Sequence, residues 1–153
     1  MRYSLFAIEE SEITVESERG VLDRTSEDAV TAIYRGILRN FCARHDVGSA
    51  TTADLALIAG ELLSNAHRYG MGDSVQFTHR IESNLDSAWI ELFFCYETDE
   101  FCTCASMPDI EAELCGGRGI PLIRELSDEC EWDFETIRGF LMFSSRTVIR
   151  RTS

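Results

Sequence analysis

Basic residues are scarce in this sequence. Fourteen Lys and Arg stand against 27 Asp and Glu, for a formal net charge of −13. Phosphate backbones are held by clustered cations, so this balance argues against DNA or RNA as a partner, and against docking on anionic lipid. Proline is nearly absent, with only Pro108 and Pro121, and there is no repeat, low-complexity stretch or linker. The chain therefore reads as one unit over residues 1–153. No apolar run approaches the about 20 residues that a spanning helix needs. The start turns acidic within Met1–Glu12, unlike a secretory leader, so the cytoplasm is the expected compartment. Hydrophobic residues make up 44% of the chain, enough for an ordinary globular core without metals or disulfides.

Cysteine is not lacking; there are six. With no export signal and a sufficient core, a disulfide framework is not expected. Cys42 falls in a helical pattern, and Cys95 and Cys130 fall in strand patterns, where each reads as a small buried hydrophobe. Cys102, Cys104 and Cys115 share one irregular segment. Zinc sites favour pairs spaced two to four apart, which Cys-Thr-Cys is too tight to supply. Inert thiols are the first reading there, with metal binding and a redox-responsive loop as alternatives.

Ser4–Ile8 and Glu12–Ser17 are candidate strands. Thr25-Ser26-Glu27-Asp28 is a capping-type start for a helix to about Arg44, carrying Ala29, Ile33, Ile37 and Phe41 with Val30, Tyr34 and Leu38 beside them. A second helix runs from about Thr52 to Tyr69, with Leu55, Ile58, Leu62 and Ala66 as its buried stripe and Gly70 and Gly72 as its stop. Val75, Phe77, His79 and Ile81 alternate as a strand, and Asn84–Ser87 is a turn. Ala88–Tyr96 is apolar on both faces, which predicts a central strand or one face given to a partner. Glu97–Gly117 has no period and reads as a long functional loop. A short helix at Gly119–Leu126 and two strands, Glu129–Glu135 and Phe140–Ile149, close the chain. Strands and helices clustered in this way favour an α+β two-layer sandwich, a mostly antiparallel sheet packed on helices.

Two segments carry chemistry. Within Glu61-Leu-Leu-Ser-Asn65-Ala-His-Arg-Tyr-Gly70, Glu61 and Asn65 lie four apart on one helix face, with Ile58 and Arg68. A carboxylate beside a carboxamide can hold a hydrated magnesium ion, and the carboxylate can take a proton from a nucleophile. The same spacing is also common on solvated helix faces. Second, Cys115-Gly-Gly117-Arg118-Gly119-Ile-Pro-Leu-Ile precedes a helix, where free N–H groups and the helix dipole suit a phosphate. Alone, such a run is also an ordinary turn.

The order of these parts resembles the histidine-kinase-type ATPase (GHKL or Bergerat) fold, and more closely the small bacterial anti-sigma-factor serine kinases. Glu61-Leu-x-x-Asn65-Ala-x-x-Tyr69-Gly70 is similar to that family's N box, and Gly116-Gly-Arg-Gly-Ile-x-Leu-Ile123 to its second glycine box. The resemblance implies Glu61 as catalytic base and Asn65 as magnesium ligand, with Gly117, Arg118 and Gly119 closing a lid over ATP. It further implies phosphoryl transfer to a serine or threonine of a STAS-domain antagonist, and a homodimer that holds a sigma factor inactive.

The first glycine box departs from the family pattern. Where the family reads Asp-x-Gly-x-Gly, this chain reads Tyr96-Glu97-Thr98-Asp99-Glu100, and the last strand opens Gly139-Phe140-Leu141 in place of Gly-Thr. A tyrosine in place of the adenine-binding aspartate strands the base's amino group, at about 1–3 kcal/mol. Acidic neighbours repel a triphosphate by roughly 4 kcal/mol per pair at about 4 Å and an effective dielectric of about 20. The alternative reading is therefore a non-catalytic binding module that sequesters a sigma factor or another partner without ATP.

His67, His79 and His45 read as structural, His67 as partly buried. Trp89 and Phe93 are core or partner surface. Glu131, Asp133 and Glu135 are a solvated strand face or a steering patch for a basic partner.

Overall fold

The computed structural model describes residues 13–98 and 119–152. Five antiparallel strands and three helices follow in the order β1 (Thr14–Asp23), α1 (Glu27–Arg44), α2 (Ser49–Tyr69), β2 (Ser74–Ser83), β3 (Ser87–Glu97), α3 (Gly119–Leu126), β4 (Glu129–Ile137) and β5 (Phe140–Thr152). The sheet order is β1-β2-β3-β5-β4, so the strand that is apolar on both faces is the central one. The α+β sandwich read from the sequence is the fold observed. Among the described residues no helix is long and apolar enough to cross a membrane.

Local chemistry sets the element ends. Ser26 caps α1 by accepting from the Ala29 N–H at 3.2 Å, and Glu27 and Asp28 complement the helix dipole. The buried stripe of α1 is Val30, Tyr34, Leu38, Phe41 and Cys42, while Ile33 in the adjacent row faces solvent. The β2–β3 turn is fixed by Asn84 Oδ1, which accepts from the Asp86 and Ser87 N–H groups at 2.9 Å each. Between β4 and β5, Arg138 and Gly139 both take positive φ, 52° and 84°, the geometry of a two-residue hairpin turn.

The helices lie on one face of the sheet. Leu55, Ile58, Leu62 and Ala66 of α2 are all buried, together with Ile123 of α3 and the inward residues Ile90, Leu92, Phe94 and Tyr96 of β3. Each large buried side chain contributes about 1.5–3 kcal/mol. Tyr96, Phe143 and Phe134 form an aromatic row across β3, β5 and β4, with ring centroids 5.1 Å apart at each step.

β1 begins close to the predicted strand but runs on to Asp23, six residues beyond Ser17. Its inward residue Glu18 stands opposite His79 of β2. His79 is fully buried; its Nδ1 lies 3.0 Å from Glu18 Oε1, and its Nε2 lies 2.5 Å from the Tyr34 hydroxyl. Arg44 closes the cluster by donating to Glu18. Burial works to raise the Glu18 carboxyl, but the hydrogen bonds from His79 and Arg44 prevail and hold it below the ordinary carboxylate range. For His79 burial dominates and lowers its affinity for protons, against the pull of Glu18. Burial also pushes the Tyr34 hydroxyl well above its usual range.

The candidate nucleotide corner

α2 carries Glu61 and Asn65 on successive turns, as the spacing predicts. The helix is anchored by its apolar stripe, so both side chains have fixed directions. Asn65 is only 6% exposed, a carboxamide on the buried side of an otherwise apolar stripe. Glu61 is half-buried and lines an open hollow of about 380 Å³ with Glu27, Asp28, Thr31, Arg35 and Ser64.

The C-terminal end of α2 is stitched to the sheet. The Gly70 N–H donates to the Ala66 carbonyl at 2.9 Å, and a side chain at Gly70 would collide with that oxygen. Arg24 donates from Nη2 to the His67 carbonyl at 3.0 Å and from Nη1 to the Gly72 carbonyl at 2.6 Å, placing a cation at the negative end of the helix. The Met71 N–H donates to the Glu97 carbonyl at 2.8 Å. Thr98 donates its hydroxyl to the Tyr69 carbonyl at 3.0 Å and its N–H to the Leu141 carbonyl at 2.9 Å. The segment Tyr96-Glu97-Thr98 thus ties the end of the Glu-x-x-x-Asn helix to β3 and β5.

Here the first glycine box of the resembling family falls, and the residues present do not suit an adenine. Tyr96 is 2% exposed and its ring packs on Phe143, so an aromatic fills the place of the carboxylate acceptor. The Thr98 hydroxyl is committed to the helix end and its residue is buried. Glu61 and Asn65 are not brought together in one cavity: Glu61 lines the hollow beside α1, and the buried Asn65 is not among that hollow's lining residues.

Gly119 is the first residue of α3. Gly117, Arg118, Asp99 and Glu100 lie outside the described residues, as do Cys102, Cys104, Cys115 and the candidate strand Ser4–Ile8. Among the described residues no group of three or more His, Cys, Asp or Glu side chains could hold a metal ion. Cys42 is buried, and Cys95 and Cys130 are half-buried free thiols. His67, read as partly buried, is instead exposed: it lies on the solvent side of the last turn of α2, and its carbonyl accepts from Arg24. His79 and His45 are structural, His45 pairing with Glu16 at 3.1 Å.

Sequence reasoning missed Arg24 and the Glu18–His79–Tyr34 chain. The inward register of His79 was visible in the alternation of β2; its partners come from distant segments. Arg24 carries no local pattern at all.

A chain of the SiaB–SiaC complex from Pseudomonas aeruginosa is similar in structure, with a TM-score of 0.53 and 18% identity over 96% of this chain and 95% of that one. That likeness shows the fold alone. No curated protein matches the sequence. The model of the histidine kinase-like ATPase domain matches residues 24–139, from the arginine that caps α2 to the turn before β5. The chain belongs to the histidine kinase-like ATPase domain family.

Proposed function

We propose that this chain is an anti-sigma-type regulator, a protein-binding module built on the ATPase scaffold, with a sigma factor and a STAS-domain antagonist as its partners. The observation that supports the reading is the packed Tyr96–Thr98 segment, where a buried tyrosine stands in place of the family's adenine-binding aspartate and Thr98 bonds the end of α2. A scaffold of this kind keeps its surfaces for protein partners when the nucleotide end is closed. The net charge of −13 suits basic partner surfaces. The neighbouring fold comes from a two-protein complex, which agrees with this reading.

The spacing of Glu61 and Asn65 along α2 supports a second reading: a protein serine/threonine kinase using MgATP. Bound magnesium would shield the triphosphate charge. Glu61 would take the proton of the attacking hydroxyl, and Asn65 would orient the ion through its amide oxygen, with Gly117, Arg118 and Gly119 over the phosphates.

The two readings separate in one experiment. The purified chain is incubated with candidate sigma factors and STAS proteins, with and without MgATP, and both complex formation and phosphate transfer are followed. The binding-module reading predicts a complex of equal affinity in both conditions and no phosphorylated product. A phosphorylated STAS protein, lost in Glu61→Gln, overturns it in favour of the kinase. No complex with any sigma factor or STAS protein removes the anti-sigma assignment itself.

A further inference from the structure

The two outermost strands of the sheet, β1 and β4, differ in how their charges are engaged. On β1, Glu16 and Glu18 are taken up by His45 and Arg44. On β4, the row Glu129, Glu131, Asp133 and Glu135 stands exposed on the face away from the helices. Arg146 of β5 reaches Glu129 at 3.1 Å and Glu131 at 3.8 Å. Asp133 and Glu135 have no ion-pair partner among the described residues. The other face of β4, with Cys130, Trp132 and Phe134, is half-buried against the core.

The backbone of β4 is open too. Among the described residues it pairs with β5 on one side and with nothing on the other. Arg138 and Gly139 form a two-residue turn, so the flanking pair Ile137 and Phe140 exchanges ladder hydrogen bonds. Counting back by twos, Glu135, Asp133, Glu131 and Glu129 bond to β5. Cys130, Trp132, Phe134 and Thr136 turn their N–H and C=O groups outward. Phe134 shows the direction. Its N–H donates to Asp133 Oδ1 at 2.9 Å, a side-chain oxygen standing where a neighbouring strand's carbonyl would sit. Sheet edges are usually blunted by lysine, proline or a bulge. β4 has no lysine or proline, and its register with β5 is unbroken over nine residues.

We propose that the β4 edge takes up an extended segment of a partner protein as a sixth strand, one in which arginine or lysine alternates with apolar residues. Alternate residues of a strand lie about 6.8 Å apart on one face. The basic ones come to lie beside Glu131, Asp133 and Glu135. The apolar ones continue the row of Cys130, Trp132 and Phe134 over the core. Backbone pairing supplies affinity, and the alternating side chains supply choice. A second copy of β4 does not fit, because its acidic row would face this one at about 5 Å. A basic helix would satisfy the carboxylates but make no use of the open backbone. The edge lies two strands from Tyr96 and needs no nucleotide, so its failure leaves the regulatory reading in place.

Fluorescence anisotropy tests it, with the full chain and a labelled, end-blocked peptide of alternating arginine and valine. The expected result is saturable binding that weakens as salt rises. Asp133→Arg with Glu135→Arg raises the dissociation constant at least about tenfold without lowering the melting temperature, since both side chains are exposed. N-methyl groups separate strand addition from charge attraction. In an antiparallel addition the valine amides face β4 and the arginine amides face away. Methylating the valine amides then abolishes binding, and methylating the arginine amides changes it by less than about threefold. The reverse dependence marks a parallel addition and supports the proposal equally. Absence of saturable binding overturns it. So does a peptide whose two methylated forms bind alike, or binding indifferent to Asp133→Arg/Glu135→Arg.

Discussion

Two polar clamps hold the helical layer to the sheet, and their chemistry differs. At the β1 edge the clamp is ionisable: Tyr34 from α1, His79 from β2, and Glu18 from β1 with Arg44 behind it. At the nucleotide corner, the contacts are neutral carbonyls that accept from Thr98, Met71 and the ever-charged Arg24. The edge clamp therefore answers to pH, whereas the corner does not.

The largest effect that probes this contrast is His79→Ala. It opens a cavity in the core and strands the Tyr34 hydroxyl and the Glu18 carboxylate, so denaturant unfolding reads a loss of about 4 kcal/mol. A loss below about 1 kcal/mol means the edge clamp is incidental. At the corner, Gly70→Ala forces a methyl against the Ala66 carbonyl and costs about 2 kcal/mol, because backbone must shift to relieve it. Thr98→Val leaves the Tyr69 carbonyl without its hydroxyl donor and costs about 1 kcal/mol, by the same amount at neutral and mildly acidic pH.

The smallest effect is one of slope. The Glu18 carboxyl is held below its unfolded value, so its contribution is full above that value and is lost as pH falls through the folded one. His79 is also depressed, so the unfolded chain takes up its proton first as pH drops below about 6.5. Both groups make acid destabilising. Urea midpoints measured between about pH 7 and pH 4 fall less steeply in His79→Gln, which removes the imidazole and one of the partners that lowers Glu18, than in wild type. Equal slopes would show that the network does not titrate with folding.

Much of this architecture was legible because periodicity is local information. The short helix Gly119–Leu126 was read at its observed bounds, and α2 began only three residues before its reading, after a glycine cap with no side chain to announce it. Two apolar faces pointed to β3 as a central strand or as one with a face given to a partner, and the pairing makes it central. β1 was read short because Glu18-Arg19-Gly20 breaks the apolar alternation; the strand runs on through its pairing with β2, in which Glu18 meets His79 across a separation of 61 residues. For the candidate site, the Glu61–Asn65 spacing was legible, as was the departure at Tyr96 and Thr98. What spacing could not convey is that Thr98 bonds the end of α2, which depends on the fold bringing residues 69 and 98 together.

Calorimetric titration of MgATP into the folded wild-type chain tests the central claim most directly. A closed adenine corner predicts no saturable heat at millimolar nucleotide and no rise in melting temperature. Saturable binding that raises the melting temperature, and that vanishes in Asn65→Ala while the fold persists, would contradict it.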